Sequence, residues 1–320
     1  MDSTTCEKGD DDYEIVIVGG GICGLATALA LHRKGLNSVV LERADCLRAT
    51  GSAIGLYTNG WRALDQLRVG TKLRQKTITI ERGRKVSLDN GTTQEFPAGK
   101  EEVRCVRRND LIETLAEGLP AGTIRCGCHV IGVEMDKLTS FPILRLHDGS
   151  VINCKVIIDE SLKLKPPRLS QMESVRGLTN YQDEHSFGNA AIQMMKNQLI
   201  LGILPIDRKC VHWFLSGPGT LRARDYGVSR DPLLIRETTL YDVKEFPAET
   251  VEMIKNSDPA SLSYTPIKYR APWDLLLGHH GGSRRCNACD GALPRAGRSC
   301  RIGRRCGSRQ MLGRSDVHQQ

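Results

Sequence analysis

The sequence predicts an α/β fold in which a parallel sheet with a connecting helix is followed by a β-rich region. Three observations predict it. An apolar run near the N-terminus, YEIVIV, leads through a glycine-rich turn into a helical stretch and then a second short apolar run. Strand-like segments dominate residues 175–217. Beyond Leu277 the composition changes abruptly, which indicates an irregular C-terminal tail.

The expected elements follow in chain order from hydrophobic periodicity and from the positions of turn residues. Asp148-Gly149 predicts a hairpin turn, and Asp110 with Glu113 predicts a capping box. The predicted strands are residues 13–18, 38–41, 77–80, 85–88, 123–133, 143–147, 151–158, 199–204 and 210–215, and the predicted helices are 25–34, 60–73, 110–119 and 242–256. Domains are expected at 12–162 and 166–277, with a tail at 278–320.

Composition excludes several classes of protein. Hydrophobic residues make up 40% and charged residues 26%, as in soluble globular proteins. The acidic first twelve residues have no apolar core, and no apolar run reaches membrane-spanning length, so a soluble intracellular, cytoplasmic protein with reduced cysteines is expected. Nearly all of the net charge of +8 lies in residues 279–320, which hold nine arginines against two aspartates.

The glycine-rich turn carries the clearest functional signal. Gly19, Gly21 and Gly24 form G-x-G-x-x-G between a predicted strand and a predicted helix, where it permits a tight turn, a close approach to a pyrophosphate and close helix packing. Glu42 ends the second strand, where a carboxylate can accept hydrogen bonds from a ribose and disfavours a 2′-phosphate. The pattern predicts a dinucleotide site, and its spacing alone does not separate FAD from NAD.

Further segments extend this pattern along the chain: TGSAIGLYTNGWRALDQL, VRRNDLIETL, VRGLTNY and YTPIKYRAPWDLL. With the N-terminal unit, they resemble the plant FAD-dependent monooxygenases of the salicylate-hydroxylase-like, aromatic-ring hydroxylase type, over residues 13–277. The resemblance implies a Rossmann-like FAD-binding domain, a β-rich substrate domain and an irregular C-terminal tail. It also implies a role for each residue that matches a family motif. Gly19, Gly21 and Gly24 would contact the pyrophosphate, and Glu42 would contact the adenosine ribose. Arg43 would lie on the adenine side, and Arg108 would contact the ribityl or phosphate region of the flavin.

The resemblance implies an FAD-dependent, NAD(P)H-consuming monooxygenase that uses O₂ to hydroxylate a small aromatic or apolar molecule. In such enzymes the flavin carries the chemistry, so no catalytic acid or base is nominated. The histidines His129, His147, His185 and His212 are interpreted as ordinary surface or strand residues. The sequence indicates neither a specific nucleic-acid partner nor an oligomeric state.

Two departures from the family pattern leave alternatives open. The strand ending at Ile158 lacks the expected G-x-D-G-x-x-S, and the tail lacks G-D-A-x-H-P. One permitted choice of codons for residues 284–289, when it is read one base later, encodes Gly-Asp-Ala-Met-His, which matches the first five positions of the missing motif. A frame-shifted or disordered tail is therefore predicted. Its cysteines are too loosely spaced to predict a zinc site, and no metal site is expected. A catalytically inactive flavoprotein relative and a basic-tail binding protein remain alternatives.

Overall fold

The structure, a computed structural model, describes residues 11–47, 52–99, 101–159, 166–218 and 231–270. The predicted tail at 278–320, its cysteines and its arginine cluster lie outside these ranges. So do residues 160–165, where the departure after Ile158 falls. The expectations for both segments therefore remain predictions.

Strands and helices alternate in the first half of the described chain, and strands dominate the second. The helices are α1 (Ile22–Arg33), α2 (Thr58–Gln66), α3 (Gly70–Arg74), α4 (Arg108–Glu117), α5 (Pro232–Asp242) and α6 (Ala248–Lys255). The strands are β1 (Asp11–Val18), β2 (Val39–Leu41), β3 (Ala53–Leu56), β4 (Arg82–Ser87), β5 (Thr92–Pro97), β6 (Arg104–Arg107), β7 (Ile124–Arg125), β8 (Val130–Met135), β9 (Pro142–Leu146), β10 (Val151–Asp159), β11 (Arg168–Asn180), β12 (Ala190–Lys196), β13 (Leu199–Pro205), β14 (Cys210–Pro218) and β15 (Ser263–Tyr269).

The first sheet has the order β7-β2-β1-β10-β9-β8. Strand β1 pairs in parallel with β2 on one side and with β10 on the other, and β2 pairs in parallel with β7. Helix α1 connects β1 to β2 and covers one face, where Ala28 packs with Ile17 and Val40. Because the chain leaves β1 toward β2 and returns later to β10, the carboxyl end of β1 is a topological switch point, where α/β proteins bind ligands.

The second sheet has the order β15-β11-β14-β13-β12-β4-β5. Its strands are antiparallel except for β12 and β4, which pair in parallel. Helices α5 and α6 pack on it through a buried cluster that includes Trp213, Ile235 and Met253. The hairpin of β4 and β5, residues 82–97, thus joins a sheet whose other strands follow residue 166. The division of the chain at 162–166 remains a prediction.

Between the two sheets, β3 and β6 form a separate antiparallel pair. Helix α4 follows β6 directly and packs against α1 through a cluster that includes Leu25, Leu29, Leu111 and Leu115. Buried Cys105 of β6 contacts a cluster that also holds Ile206 and Cys210 of the second sheet. This pair therefore connects the two sheets and sets where α4 begins.

Most predicted elements are present, and the exceptions have local causes. The helix predicted at 60–73 is wrong as one element, because Arg68 adopts a left-handed φ of 59° and separates α2 from α3. The helix predicted at 242–256 begins later than expected, at Ala248, with Pro247 as its N-cap residue. Residue 242 is instead the last residue of α5, a helix that the sequence analysis did not predict. The strand predicted at 123–133 divides into β7 and β8 around Gly127, whose φ is 74°.

Two further local predictions are wrong. Residues 77–80 are not a strand, because Ile78 donates its N–H to Ile206 and Ile80 donates to Val103, so no continuous ladder forms. The capping box is absent because α4 begins earlier than expected, at Arg108. Asp110 therefore lies within the first turn, where its carboxylate accepts a hydrogen bond from Lys76 Nζ at 2.6 Å.

Candidate functional site

The glycine-rich turn has the geometry that its sequence predicts. Gly19 has a φ of 104°, a conformation that side chains disfavour, and donates its N–H to the Leu41 carbonyl at 2.8 Å. A Cβ on Gly24 would lie 2.0 Å from the Gly19 carbonyl oxygen, so only glycine allows α1 to pack this closely on the turn. A Cβ on Gly21 would meet none of the described residues within 4 Å, which leaves space beside the turn in this part of the structure.

The N-terminus of α1 offers donors to that space. Gly21 is the N-cap residue, no side chain caps the helix, and its first turn contains no acidic residue. The first N–H groups of a helix lack intrahelical partners and carry a partial positive charge, which favours an anion. A pyrophosphate is therefore an appropriate ligand for this turn.

Glu42 lies directly beside the glycine turn. Its Oε2 accepts a hydrogen bond from the Gly20 N–H at 2.6 Å, and its Oε1 accepts from the Ala44 N–H at 2.9 Å. These bonds orient the carboxylate at the carboxyl end of β2, and each oxygen keeps a second lone pair for a hydroxyl donor. Arg43, the next residue in the chain, is exposed.

Arg108 is the first residue of α4. Its backbone N–H donates to the Ser52 carbonyl at 3.2 Å, which connects α4 to the start of β3. Its side-chain Nε is buried and has no hydrogen-bond partner among the described residues. A buried guanidinium donor without a partner is costly, so this position suits an anionic or polar ligand.

The structure adds two features that sequence reasoning missed. His212 was interpreted as an ordinary strand residue, but it is buried, and its Nδ1 lies 2.9 Å from Ser52 Oγ and 3.1 Å from the Gly177 carbonyl oxygen. Burial lowers the pKa of His212 to about 4, so the ring is neutral at pH 7. Asp159 is buried at the end of β10, opposite Val18 of β1, and so lies at the same sheet edge as the glycine turn.

No local signal identifies the contact between Ser52 and His212, whereas Asp159 is marked by its position after an apolar strand. Within the described ranges, no group of three or more histidine, cysteine or acidic residues is placed to hold a metal ion. In the same ranges, no helix combines the length and the apolar character needed to cross a membrane.

Residues 14–196 match the family model described as FAD dependent oxidoreductase, which covers more than half of the chain. Monooxygenase 1 of Arabidopsis thaliana is 39% identical over 279 residues, covering 84% of this chain and 69% of that protein. The chain belongs to the FAD-dependent monooxygenase family. The predicted family, fold class and cofactor class are thereby confirmed.

A second member of the family, Monooxygenase 2 of Arabidopsis thaliana, is 32% identical over 301 residues, covering 90% of this chain and 72% of that protein. Among solved structures, Klebsiella pneumoniae HpxO complexed with FAD and uric acid has a TM-score of 0.66 at 17% identity. The likeness covers 82% of this chain and 69% of that one. At this identity it shows the shared fold.

FAD, the cofactor of the family, fits the residues present at the glycine turn. The open space beside Gly21, the N–H groups of α1 and the Glu42 carboxylate suit the ADP half. The Nε of Arg108, which no described residue bonds, suits a phosphate or ribityl oxygen. Of the six predicted site residues, the structure brings Gly19, Gly21, Gly24 and Glu42 together at the turn. Arg108 lies separately on α4, and Arg43 is exposed.

Proposed function

We propose that this chain is an FAD-dependent monooxygenase that hydroxylates a small aromatic or apolar molecule, with O₂ and NAD(P)H as co-substrates. The observation that carries the proposal is the glycine turn, in which the φ of Gly19 and the close packing at Gly24 leave a cradle beside Gly21. FAD, when bound, supplies the redox chemistry between the nicotinamide, dioxygen and the substrate.

The residues of this chain bind and orient the cofactor. Gly19, Gly21 and Gly24 would surround the pyrophosphate, and Glu42 would accept hydrogen bonds from the adenosine ribose. Arg108 would donate to the flavin phosphate or ribityl oxygens, because its buried Nε has no protein partner among the described residues. Arg43 is proposed on the adenine side, where its exposure is consistent with a weak contact.

The substrate is proposed to bind between the FAD-binding domain, residues 12–162, and the β-rich domain, residues 166–277. Uric acid, a small ring compound, is present in the HpxO structure, and this supports a ring-containing substrate here. No residue of this chain is assigned a proton-transfer role. The chain is proposed to orient the cofactor and the substrate and to exclude water from the site where they react.

The experiment is to purify the full chain, add FAD, remove unbound flavin and record the flavin absorbance. Oxidation of NADH and of NADPH is then measured with and without small aromatic compounds. Retained flavin and substrate-stimulated oxidation of one nicotinamide are expected. Arg108→Gln should lower flavin retention, whereas Arg84→Gln, on β4 and paired with Glu95, should not.

A second candidate is a flavoprotein relative without catalytic activity. The observation that favours it is the sequence after Ile158, which continues Asp159-Glu160-Ser161 without the glycines of the family motif. Flavin retention without nicotinamide oxidation, for any aromatic compound tested, would support this candidate. If no flavin elutes with the protein on gel filtration after incubation with saturating FAD, both candidate functions are contradicted.

A further inference from the structure

A cleft lies beside the start of α4, at one end of the second sheet. Its volume is about 730 Å³, within the usual range for small-molecule sites. It is lined by the segment after α3, the start of α4, the end of β11 and the turn between β13 and β14. None of the six residues proposed to bind FAD lines it.

The charged side chains that line this cleft are mostly basic. It contains four basic side chains, Lys76, Arg107, Arg208 and Lys209, and two acidic ones, Asp110 and Asp207. The positive charges of Lys76 and Arg208 are already paired within the protein. Lys76 bonds Asp110 at 2.6 Å, and Arg208 bonds Glu184 at 2.9 Å. The Nζ of Lys209 donates to the neutral carbonyl of Gln182 at 2.6 Å, so its charge remains available to a ligand.

Arg107 retains the most unused donor capacity. Its Nε is buried without a hydrogen-bond partner among the described residues. Its Nη2 makes long contacts, 3.3 Å to Asn180 Oδ1 and 3.6 Å to Asp207 Oδ2, and its guanidinium also has the Cys210 thiol as a hydrogen-bond partner. A guanidinium presents five N–H donors in a fork that matches phosphate and carboxylate oxygens, so this arrangement leaves good geometry for an oxyanion.

Two neighbouring groups add to that geometry. Arg107 is also the N-cap residue of α4, a ten-residue helix that no described side chain caps, so the positive end of this helix lies at the cleft. Tyr181 is half-buried in the lining, where burial raises its pKa to about 12, and its protonated phenol is a hydrogen-bond donor.

We propose that this cleft binds a small molecule bearing a phosphate or carboxylate group, with Arg107 and Lys209 as its principal contacts. The site is separate from the glycine turn and does not depend on the FAD chemistry proposed above. Because the ligand would contact both α4 and the turn after β13, its binding would stabilise the junction between the two sheets.

The test is isothermal titration calorimetry on the purified full chain, saturated with FAD, at about 0.15 M salt so that weak surface attraction is screened. Inorganic phosphate and citrate are the two probes, and they distinguish a phosphate from a carboxylate ligand. Binding of at least one probe with a dissociation constant on the order of 1 mM or lower is expected. Selectivity for either probe supports the proposal and identifies its chemistry.

Three variants remove one positive charge each. Arg107→Gln should weaken binding about tenfold or more, as expected for the loss of a charged hydrogen bond, and Lys209→Gln should weaken it severalfold. Arg84→Gln lies outside the cleft and should change it less than about twofold. Lys209→Gln, in the exposed turn, keeps the test valid if Arg107→Gln fails to fold.

Three results would overturn the proposal. The first is that neither probe binds the wild-type chain. The second is that binding is unchanged in both cleft variants, which would place the anion elsewhere, such as at the glycine turn. An equal loss in Arg84→Gln and in the cleft variants would indicate attraction by overall charge and would also overturn it.

Discussion

The two sheets use their polar groups differently. At the carboxyl end of β1, the groups of the glycine turn and Glu42 come from residues 19–42 and face open space. In the second region, buried hydroxyls bond one another across long sequence separations, as Thr179 Oγ1 does with Ser257 Oγ, 78 residues later, at 3.1 Å. The first region keeps donors and acceptors available for a ligand, whereas the second uses them to hold its own fold.

The largest expected effect separates close packing from ligand contact within the glycine turn. Gly24→Ala places a Cβ 2.0 Å from a backbone oxygen, so it should destabilise the fold by about 3 kcal/mol or more and abolish FAD binding. A Cβ at Gly21 would meet none of the residues that the structure describes within 4 Å, so Gly21→Ala should leave the melting temperature nearly unchanged while weakening FAD binding. Thermal melts and FAD titrations measure both; equal melting temperatures for the two variants would contradict this assignment.

The next effect concerns the second sheet and its buried His212. The folded-state pKa is about 4, below the ordinary 6.5, because burial, and to a lesser degree the charge of Arg176, disfavours the imidazolium. The unfolded chain therefore binds an additional proton between about pH 6.5 and pH 4. The stability from the neutral ring is complete above about pH 6.5 and decreases as the pH falls through this window, by up to about 3 kcal/mol.

Urea unfolding between pH 4 and pH 7 measures the pH dependence of this stability. His212→Asn removes the titrating ring and keeps a side-chain donor for the Gly177 carbonyl, so its stability should change less over the same window. The difference in slope between wild type and variant is the readout. The same slope in both proteins would show that other groups cause the pH dependence.

A smaller effect tests the proposed ribose contact in the first region. Glu42→Ala should weaken FAD binding by about 1–3 kcal/mol, because ribose hydroxyls lose their acceptor and the Gly20 N–H loses its partner. Arg43→Ala, at an exposed neighbouring position, should change FAD affinity less. Equal FAD affinity in wild type and Glu42→Ala, by fluorescence titration, would remove Glu42 from the site.

The smallest effect tests whether the buried hydroxyls of the second sheet are structural. Ser216 Oγ donates to Ser174 Oγ at 2.9 Å, and both residues are buried. Ser216→Ala should cost about 1 kcal/mol of stability, because the Ser174 hydroxyl loses its partner, without changing FAD affinity. The double variant with Ser174→Ala should recover part of that loss; a change in FAD affinity would contradict a purely structural role.

Local patterns predicted the first region better than the second. The elements around the glycine turn are close in sequence: the strand before Gly19, the helix after it and the acid that follows β2. The periodicity of apolar residues and the spacing of the glycines therefore indicate them directly. The errors fell where tertiary contacts or single residues interrupt a pattern. Arg68 breaks a helix through its φ, and residues 77–80 do not form a strand.

The sequence alone determined the α/β class, the family resemblance and the dinucleotide cradle, because a turn, a helix N-terminus and a strand end are short-range features. Only the tertiary structure decided that the β4 and β5 hairpin joins the second sheet, and that Arg107 faces a cleft beside the β13–β14 turn. It also brought together Ser52 and His212, which are 160 residues apart in the chain. Such contacts depend on how complete elements pack on one another, and no local residue pattern encodes that packing.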